Sequence, residues 1–424
     1  MEKSFGNRII LKDNVLSENQ NSSLKNEEIL EENMLSKIPN PCFKKKEIFS
    51  YDNCLWFEIY KLKDINNAFY LAFYLYNDKD IIIYKKLYEK EKFEKISTIK
   101  INLTILEKLI IKYFYNPLNK KEYLFVVKSQ DVLEIYLIIS ENKFKLIYKQ
   151  EDFFDSFEKG RRNLFNNYTI IELFDIIYNK FDNNIYIIIS YFIGDYCYAI
   201  DSFSYNSNYI KLLTLKNDKL NLIKEFDFKI DYTYKIMNMT YQDKYLKKYY
   251  ILMLRDDNLQ LIEIRQNYND YQIQNFFKSE IDLQQLKELI KDGSYFNGLI
   301  INMPNDNNND CLYISVEKIK SQKYNDSIKK NFIIIDLLQR KIIKNIKLNI
   351  EVCFILNWNN KDLILATNKS LYIFDTRINK IISKYSNLFG GVVYFSALKT
   401  LFSLKNNFYS LFAKKEYIHF VTSY

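Results

Sequence analysis

From Cys54 onward the chain is a succession of short runs rich in Ile, Tyr, Phe, Val and Leu, separated by turn-forming polar residues. YLAFYLY (70–76), KEYLFVV (121–127), KYYILML (248–254), DLILAT (362–367) and SLYIFD (370–375) are examples. β-Branched and aromatic side chains fit a pleated, half-buried surface, so runs of this length and composition predict strands. Helical spacing is confined to SEIDLQQLKELIKDG (279–293). There Ser279 and Asp282 have the form of a capping box, Leu283, Leu286, Leu289 and Ile290 keep one face, and Gly293 ends the pattern. One helix among so many strands excludes alternating β-α units and a parallel α/β fold.

Only 7 of the 424 residues are Gly and 4 are Pro, too few for a glycine in each turn. The connections instead read NDKD, SQD, SENK, KND, RDDN, WNNK and TNKS. Asn and Asp tolerate left-handed backbone angles and can hydrogen-bond their own turn, which makes them the expected substitutes.

An internal echo sharpens the fold. NFIIIDLLQRKIIKNI (331–346) aligns with SLYIFDTRINKIISKY (370–385) at an offset of 39. In each, an apolar strand closes on an Asp, Asp336 or Asp375; four variable residues follow, then Lys-Ile-Ile. A looser copy ends at Asp201 in YAIDSFSYN. A strand, an Asp-opened turn and a second strand, recurring at about 40 residues, has the period of a four-stranded propeller blade. Grouping the runs in fours gives starts near 54, 107, 168, 232, 296, 350 and 390. The expected fold is all-β: a propeller of about seven four-stranded blades spanning 51–424, with one helical insertion and the polar segment 1–50 as a largely disordered arm. Closure would come from CLWFEIY (54–60) pairing beside EYIHFVT (416–422). Tandem β-sandwiches would share the strand rhythm, and the order of strands within sheets separates the two.

KSLYIFDTRINKIISKY (369–385) resembles a WD-repeat strand pair, with Phe374-Asp375 at the position of the Trp-Asp dipeptide and Ile335-Asp336 and Ile200-Asp201 as weaker versions. The resemblance implies a WD-repeat-like propeller that serves protein binding as a scaffold. The family's Gly-His pair is missing from every repeat, because the chain has a single histidine, His419.

Charge says little: 61 Lys+Arg against 52 Asp+Glu leave +9, spread thinly, so nucleic acid is disfavoured as a partner. The cysteines, Cys42, Cys54, Cys197, Cys311 and Cys353, are odd in number and scattered, which fits a reducing compartment. With no apolar signal-like stretch at the N-terminus, and with the longest apolar run only nine residues (185–193), the expectation is an intracellular protein, cytoplasmic or nuclear, without a transmembrane segment.

Chemistry-bearing motifs are sparse. Gly293 and Gly298 have P-loop spacing, but Leu299 stands where a Lys is needed. One histidine excludes His-based triads and two-His metal sites, and no cofactor or metal ligand set emerges. Acidic residues cluster at Glu151, Asp152, Asp155 and Glu158, the kind of group a propeller hydrolase would place in its funnel. Arg161 and Arg162 form a guanidinium pair of the sort that grips phosphates, which makes a phosphoinositide or membrane-surface role in trafficking or autophagy the alternative function. The lysine-rich stretch 317–330 reads as a surface loop. The leading expectation is a non-catalytic interaction scaffold, or a subunit of a larger complex, with other proteins as partners.

Overall fold

The computed structural model describes residues 43–50 and most of 54–423; the longest stretches outside that description are 1–42, 154–166, 318–329 and 387–396. The described chain is built from seven four-stranded sheets and one helix. β1 (Phe43–Ser50) belongs to the seventh sheet. The first comprises β2 (Cys54–Tyr60), β3 (Ala68–Leu75), β4 (Asp80–Leu87) and β5 (Glu94–Lys100). The second runs through β6 (Leu109–Asn116), β7 (Lys121–Lys128), β8 (Val132–Ser140) and β9 (Lys143–Gln150). β10 (Asn167–Asn179), β11 (Asn184–Cys197), β12 (Ser202–Lys216) and β13 (Lys219–Lys229) make the third. The fourth holds β14 (Ile236–Asp243), β15 (Lys248–Arg255), β16 (Asn258–Glu263) and β17 (Ile273–Asn275).

Helix α1 (Glu280–Ile290) precedes the fifth sheet, which is β18 (Tyr295–Asn302), β19 (Asp310–Glu317), β20 (Lys330–Asp336) and β21 (Lys341–Lys347). The sixth consists of β22 (Phe354–Asn357), β23 (Asp362–Ala366), β24 (Ser370–Asp375) and β25 (Lys380–Ser386). The last is β26 (Ala397–Leu404), β27 (Asn407–Lys414), β28 (Tyr417–Ser423) and then β1. In each of the first six, spatial order equals chain order. Such meanders are foreign to Greek-key sandwiches, whose connections cross between two sheets.

Two compact units divide the chain: 51–300 with 310–349, and 1–50 with 301–309 and 350–424. Within the larger unit, consecutive sheets are packed face to face, and their inner strands bury both faces while the fourth strands stay largely exposed. In β7, Leu124 and Val126 join a core with Tyr70, Ala72 and Ile83 of the first sheet. The alternate residues Tyr123, Phe125 and Val127 join a different core, with Ile185, Ile187 and Ile189 of the third. β11 repeats the device: Tyr186 and Ile188 turn to Ile251, Met253 and Ile262 of the fourth sheet. β15 does so again, with Tyr250, Leu252 and Leu254 facing Leu312, Ile314 and Ile333 of the fifth. A strand with side-chain period two, apolar at every position, must be covered on both sides, and stacking sheets about 10 Å apart does it.

The helix lies on the last of these cores. Leu286 is fully buried there with Phe276 and Phe277, and Leu283 and Leu289 pack against them. Ser279 caps it as expected, its Oγ accepting from Ile281 N (3.2 Å). Asp282 departs from the expected capping box: its Oδ1 accepts from Ile342 N of β21 (3.0 Å) and ties helix to sheet. Among the described residues, no helix is long and apolar enough to cross a membrane.

One pairing differs from expectation. Cys54–Tyr60 does not join the last sheet; it opens the first, against β3. The strand beside β28 is β1, in register from Phe43↔Ser423 to Ser50↔Tyr417. The unpaired edge of β28 needs backbone partners, and any chain supplies them. The basic run at Lys44–Lys46 masks the strand in a pattern search for apolar residues.

Cys311 on β19 is 3% exposed. Burial, with Asp336 and Asp310 nearby, pushes its thiol up to about 12. The neutral thiol is the form that fits, so its contribution to stability is complete below the ordinary value of 9.0 and is lost as pH rises towards 12. Peptide-level mass spectrometry should find Cys311 unalkylated by iodoacetamide at pH 8 until the protein unfolds. Between pH 9 and 12 the urea midpoint should fall less steeply in Cys311→Ala than in the parent.

Candidate functional site

Five hairpins share one local design. A strand ends on Asn or Asp, four residues form the turn, and the next strand begins: Asn116 to Lys121, Asn179 to Asn184, Asp243 to Lys248, Asp336 to Lys341 and Asp375 to Lys380. The opening side chain accepts from a backbone N–H two or three residues on. The donors are Leu118 N (2.9 Å), Phe181 N (2.9 Å), Tyr245 N (3.0 Å), Gln339 N (2.8 Å) and Arg377 N (2.8 Å). The fourth turn residue is left-handed every time: Lys120 (φ 57°), Asn183 (58°), Lys247 (54°), Arg340 (56°) and Asn379 (55°). The Asx oxygen starts the reversal and the left-handed residue completes it, returning the chain antiparallel.

Asn and Asp thus act mainly as the acceptors that open the turn. The left-handed site itself is Lys or Arg in three of five, a departure from the expectation that Asn and Asp would fill it. In the two echo repeats the likeness continues past the turn, where a bulge falls at the same place before Asp336 and Asp375.

Four of these turns belong to the larger unit, and contacts between neighbours place them at one end of its sheets. Lys63 N, in the β2–β3 turn, donates to Glu122 Oε1 (2.6 Å) beside the second sheet's turn. Lys121 Nζ lies 3.6 Å from Asp218 Oδ2 in the β12–β13 turn, where Tyr123 also donates (2.8 Å). Phe181 sits 5.8 Å, ring to ring, from Tyr249 at the fourth sheet's turn. Lys244 Nζ reaches Asp310 Oδ1 (3.2 Å), whose carbonyl accepts from Leu337 N in the fifth sheet's turn (3.0 Å).

Part of the unit's exposed apolar surface lies in these turns. Of twelve large apolar side chains exposed among the described residues, five lie in these four turns, from 37% at Phe181 and Leu338 through Leu118 and Leu246 to 63% at Tyr245. Ile378 occupies the turn of the smaller unit. Single exposed leucines need no explanation; five apolar tips in short turns held by fixed hydrogen bonds make this end of the larger unit the candidate interaction surface.

A second polar feature runs across the opening strands of the sheets. Lys112 of β6 reaches Asp175 Oδ1 of β10 (3.5 Å), and Thr240 of β14 donates to Asp175 Oδ2 (2.6 Å). Burial alone would lower the Lys112 ammonium; Asp175 and Glu58 of β2 outweigh it and hold it above the ordinary lysine value. Deeper in, Asn208 and Asn238 both donate to Ser190 Oγ between the third and fourth sheets. An acid/base pair for hydrolysis needs two carboxylates driven to different protonation states. Here an ammonium and a hydroxyl engage Asp175, an arrangement that holds strands together.

Asp336 and Asp375 are buried and open their turns. Asp201, Arg161 and Arg162 lie outside the described residues, as do Asp152, Asp155 and Glu158 of the acidic cluster. Glu151 is exposed and pairs with Lys149 (2.6 Å). Asn116 and Asn179 carry no Asp to match, and the turn opened by Asp243 leads to Lys-Tyr-Tyr in place of Lys-Ile-Ile, so all three fall outside the echo. The five-residue interval from Asx to the next strand would have found them.

No protein-family model matches the chain, and neither does any curated protein. Solved structures do. The AfRom2 CNH domain aligns with TM-score 0.50 at 10% identity, over 90% of this chain and 99% of that one. The polysaccharide lyase Uly1 aligns with TM-score 0.50 at 10% identity, over 88% and 89%. Sqt1 of Saccharomyces cerevisiae aligns with TM-score 0.48 at 8% identity, over 89% and 97%. The fold is that of β-propeller-like domains. At such identities the likeness extends to fold alone.

Two predictions follow from the turn chemistry. A non-glycine residue at positive φ is strained, and a β-branched one more so. Lys247→Gly should leave the urea midpoint unchanged or raised, whereas Lys247→Val should cost about 1 kcal/mol. At Asp375, burial alone would raise the carboxyl, but Arg377 and the turn's N–H groups hold it below its ordinary 3.8. Its stabilisation is therefore complete above that value and lost as pH falls through the lower, folded one. Asp375→Asn, which keeps the accepting oxygen, should flatten the acid limb of a pH–stability profile between pH 2 and 5. Asp375→Ala should in addition lose about 1–2 kcal/mol at neutral pH, from the unpaired turn N–H.

Proposed function

We propose that the chain is a seven-bladed propeller, each four-stranded sheet one blade, that works without catalysis as a platform for other proteins and as a subunit of a larger assembly. Phe43–Ser50, expected within the polar arm 1–50, is then a strand of the last blade. The observation that carries this reading is the turn face: rigid hairpins, each pinned by an Asx hydrogen bond, presenting Leu118, Phe181, Tyr245, Leu246 and Leu338 to solvent. A rigid support lowers the entropy lost on association, and apolar anchors supply most of the binding energy of protein interfaces. The engagement of Asp175 by Lys112 and Thr240 supports a structural use of the interior carboxylates over a hydrolytic one.

Affinity capture of the tagged full-length chain under gentle lysis, with quantitative mass spectrometry, tests the reading. Partners recovered in stoichiometric amounts are expected, in particles larger than the 51.3 kDa chain on size exclusion. Recovery of the chain alone, as a monomer, would overturn it.

A further inference from the structure

We infer that the turn face of the larger unit binds an acidic protein segment carrying aliphatic or aromatic side chains. This rests on the platform reading and gives its partner a chemistry. Lys120, Lys121, Lys180, Lys244, Lys247 and Lys341 flank the apolar tips, and Arg340 holds a left-handed site among them. Carboxylates on the same four turns are few. Asp182 accepts from Tyr186, and Asp243 and Asp336 are buried as turn openers; of the neighbours, Glu122 accepts from Lys63 N and Tyr113, and Asp218 and Asp310 each lie within 3.6 Å of one lysine.

The face thus carries a surplus of positive charge interleaved with apolar anchors. A partner complementary to it brings carboxylates for the lysines and apolar side chains for the tips. The apolar set decides between polyanions. Stacking of nucleic-acid bases needs aromatic platforms, and only Phe181 and Tyr245 among the five tips are aromatic; Leu118, Leu246 and Leu338 offer a base little. They do suit leucine, isoleucine or aromatic side chains of a protein. The lysines steer the encounter, and the tips hold the complex once formed.

Fluorescence anisotropy with the purified full-length chain tests the assignment, using a labelled random copolymer of glutamate and tyrosine (about 4:1), polyglutamate of equal length, and polyuridylate. The copolymer is expected to bind at least about tenfold tighter than polyglutamate, or about 1.4 kcal/mol. The combined variant Leu118→Ser, Tyr245→Ser, Leu246→Ser should erase that advantage and leave polyglutamate binding in place. The variant Lys120→Ser, Lys244→Ser, Lys247→Ser should weaken both polymers at least about tenfold and flatten their salt dependence. Circular dichroism checks folding, and Tyr245→Ser alone, at the most exposed tip, replaces the combined variant if that one unfolds. A copolymer no tighter than polyglutamate, affinities untouched by either variant, or tighter binding of polyuridylate would overturn the inference. Repeating the affinity capture with both variants separates the two readings. Partners that persist on both variants leave the platform standing and remove this face; a parent chain that captures nothing removes the platform itself.

Discussion

Burial of both faces of the inner strands in the larger unit is the constraint from which its other properties derive. At about 25 cal/mol per Å² of apolar surface, a strand such as β7, with Tyr123, Phe125 and Val127 on one side and Leu124 and Val126 on the other, gains only when both neighbours are present. A single blade-sized sheet is therefore unstable alone, and stability belongs to the stack. Such a core is close-packed and tolerates little change in shape, so variation is pushed to the ends of the strands, where the turns are.

Those turns separate two tasks within four residues. Backbone geometry is set by the Asx acceptor and the left-handed fourth residue, which recur with little variation. Among the positions between, those that carry Leu118, Phe181, Tyr245, Leu246 and Leu338 are exposed, whereas Leu337 is buried and Asn119 and Asp182 bond the turn backbone. The apolar tips accordingly sit on hairpins whose conformation does not depend on them, which is the property a binding surface requires of its support. The interior follows another rule: Lys112, Asp175 and Thr240 are polar but matched to one another across three sheets.

Much of the architecture was legible in the sequence because strand period, turn chemistry and repeat spacing agreed. Expected starts near 54, 107, 168, 232, 296, 350 and 390 lie close to the observed Cys54, Leu109, Asn167, Ile236, Tyr295, Phe354 and Ala397. The echo around Asp336 and Asp375 is a true structural equivalence, with the third strand of successive sheets ending in the same turn. β1 was hidden because its pairing depends on what β28 lacks and on nothing in its own apolar pattern. The turn face was illegible for a related reason. Leu118 and Tyr245 look like any core residue until the backbone shows them at a tip, and exposure is a property of the fold.

The last sheet joins Phe43–Ser50 to Tyr417–Ser423, strands some 367 positions apart along the chain. During synthesis on a ribosome, β1 emerges before β28 and must wait, its backbone donors and acceptors paired only with water, until the six sheets between them have been made. Closing a loop of that length costs only a few RT more than closing a short one, since the entropy grows logarithmically. The delay is thus one of timing more than of energy. A chain that stops before Tyr417 has no β28 for β1 to pair with, so this sheet is the last of the seven that can be completed.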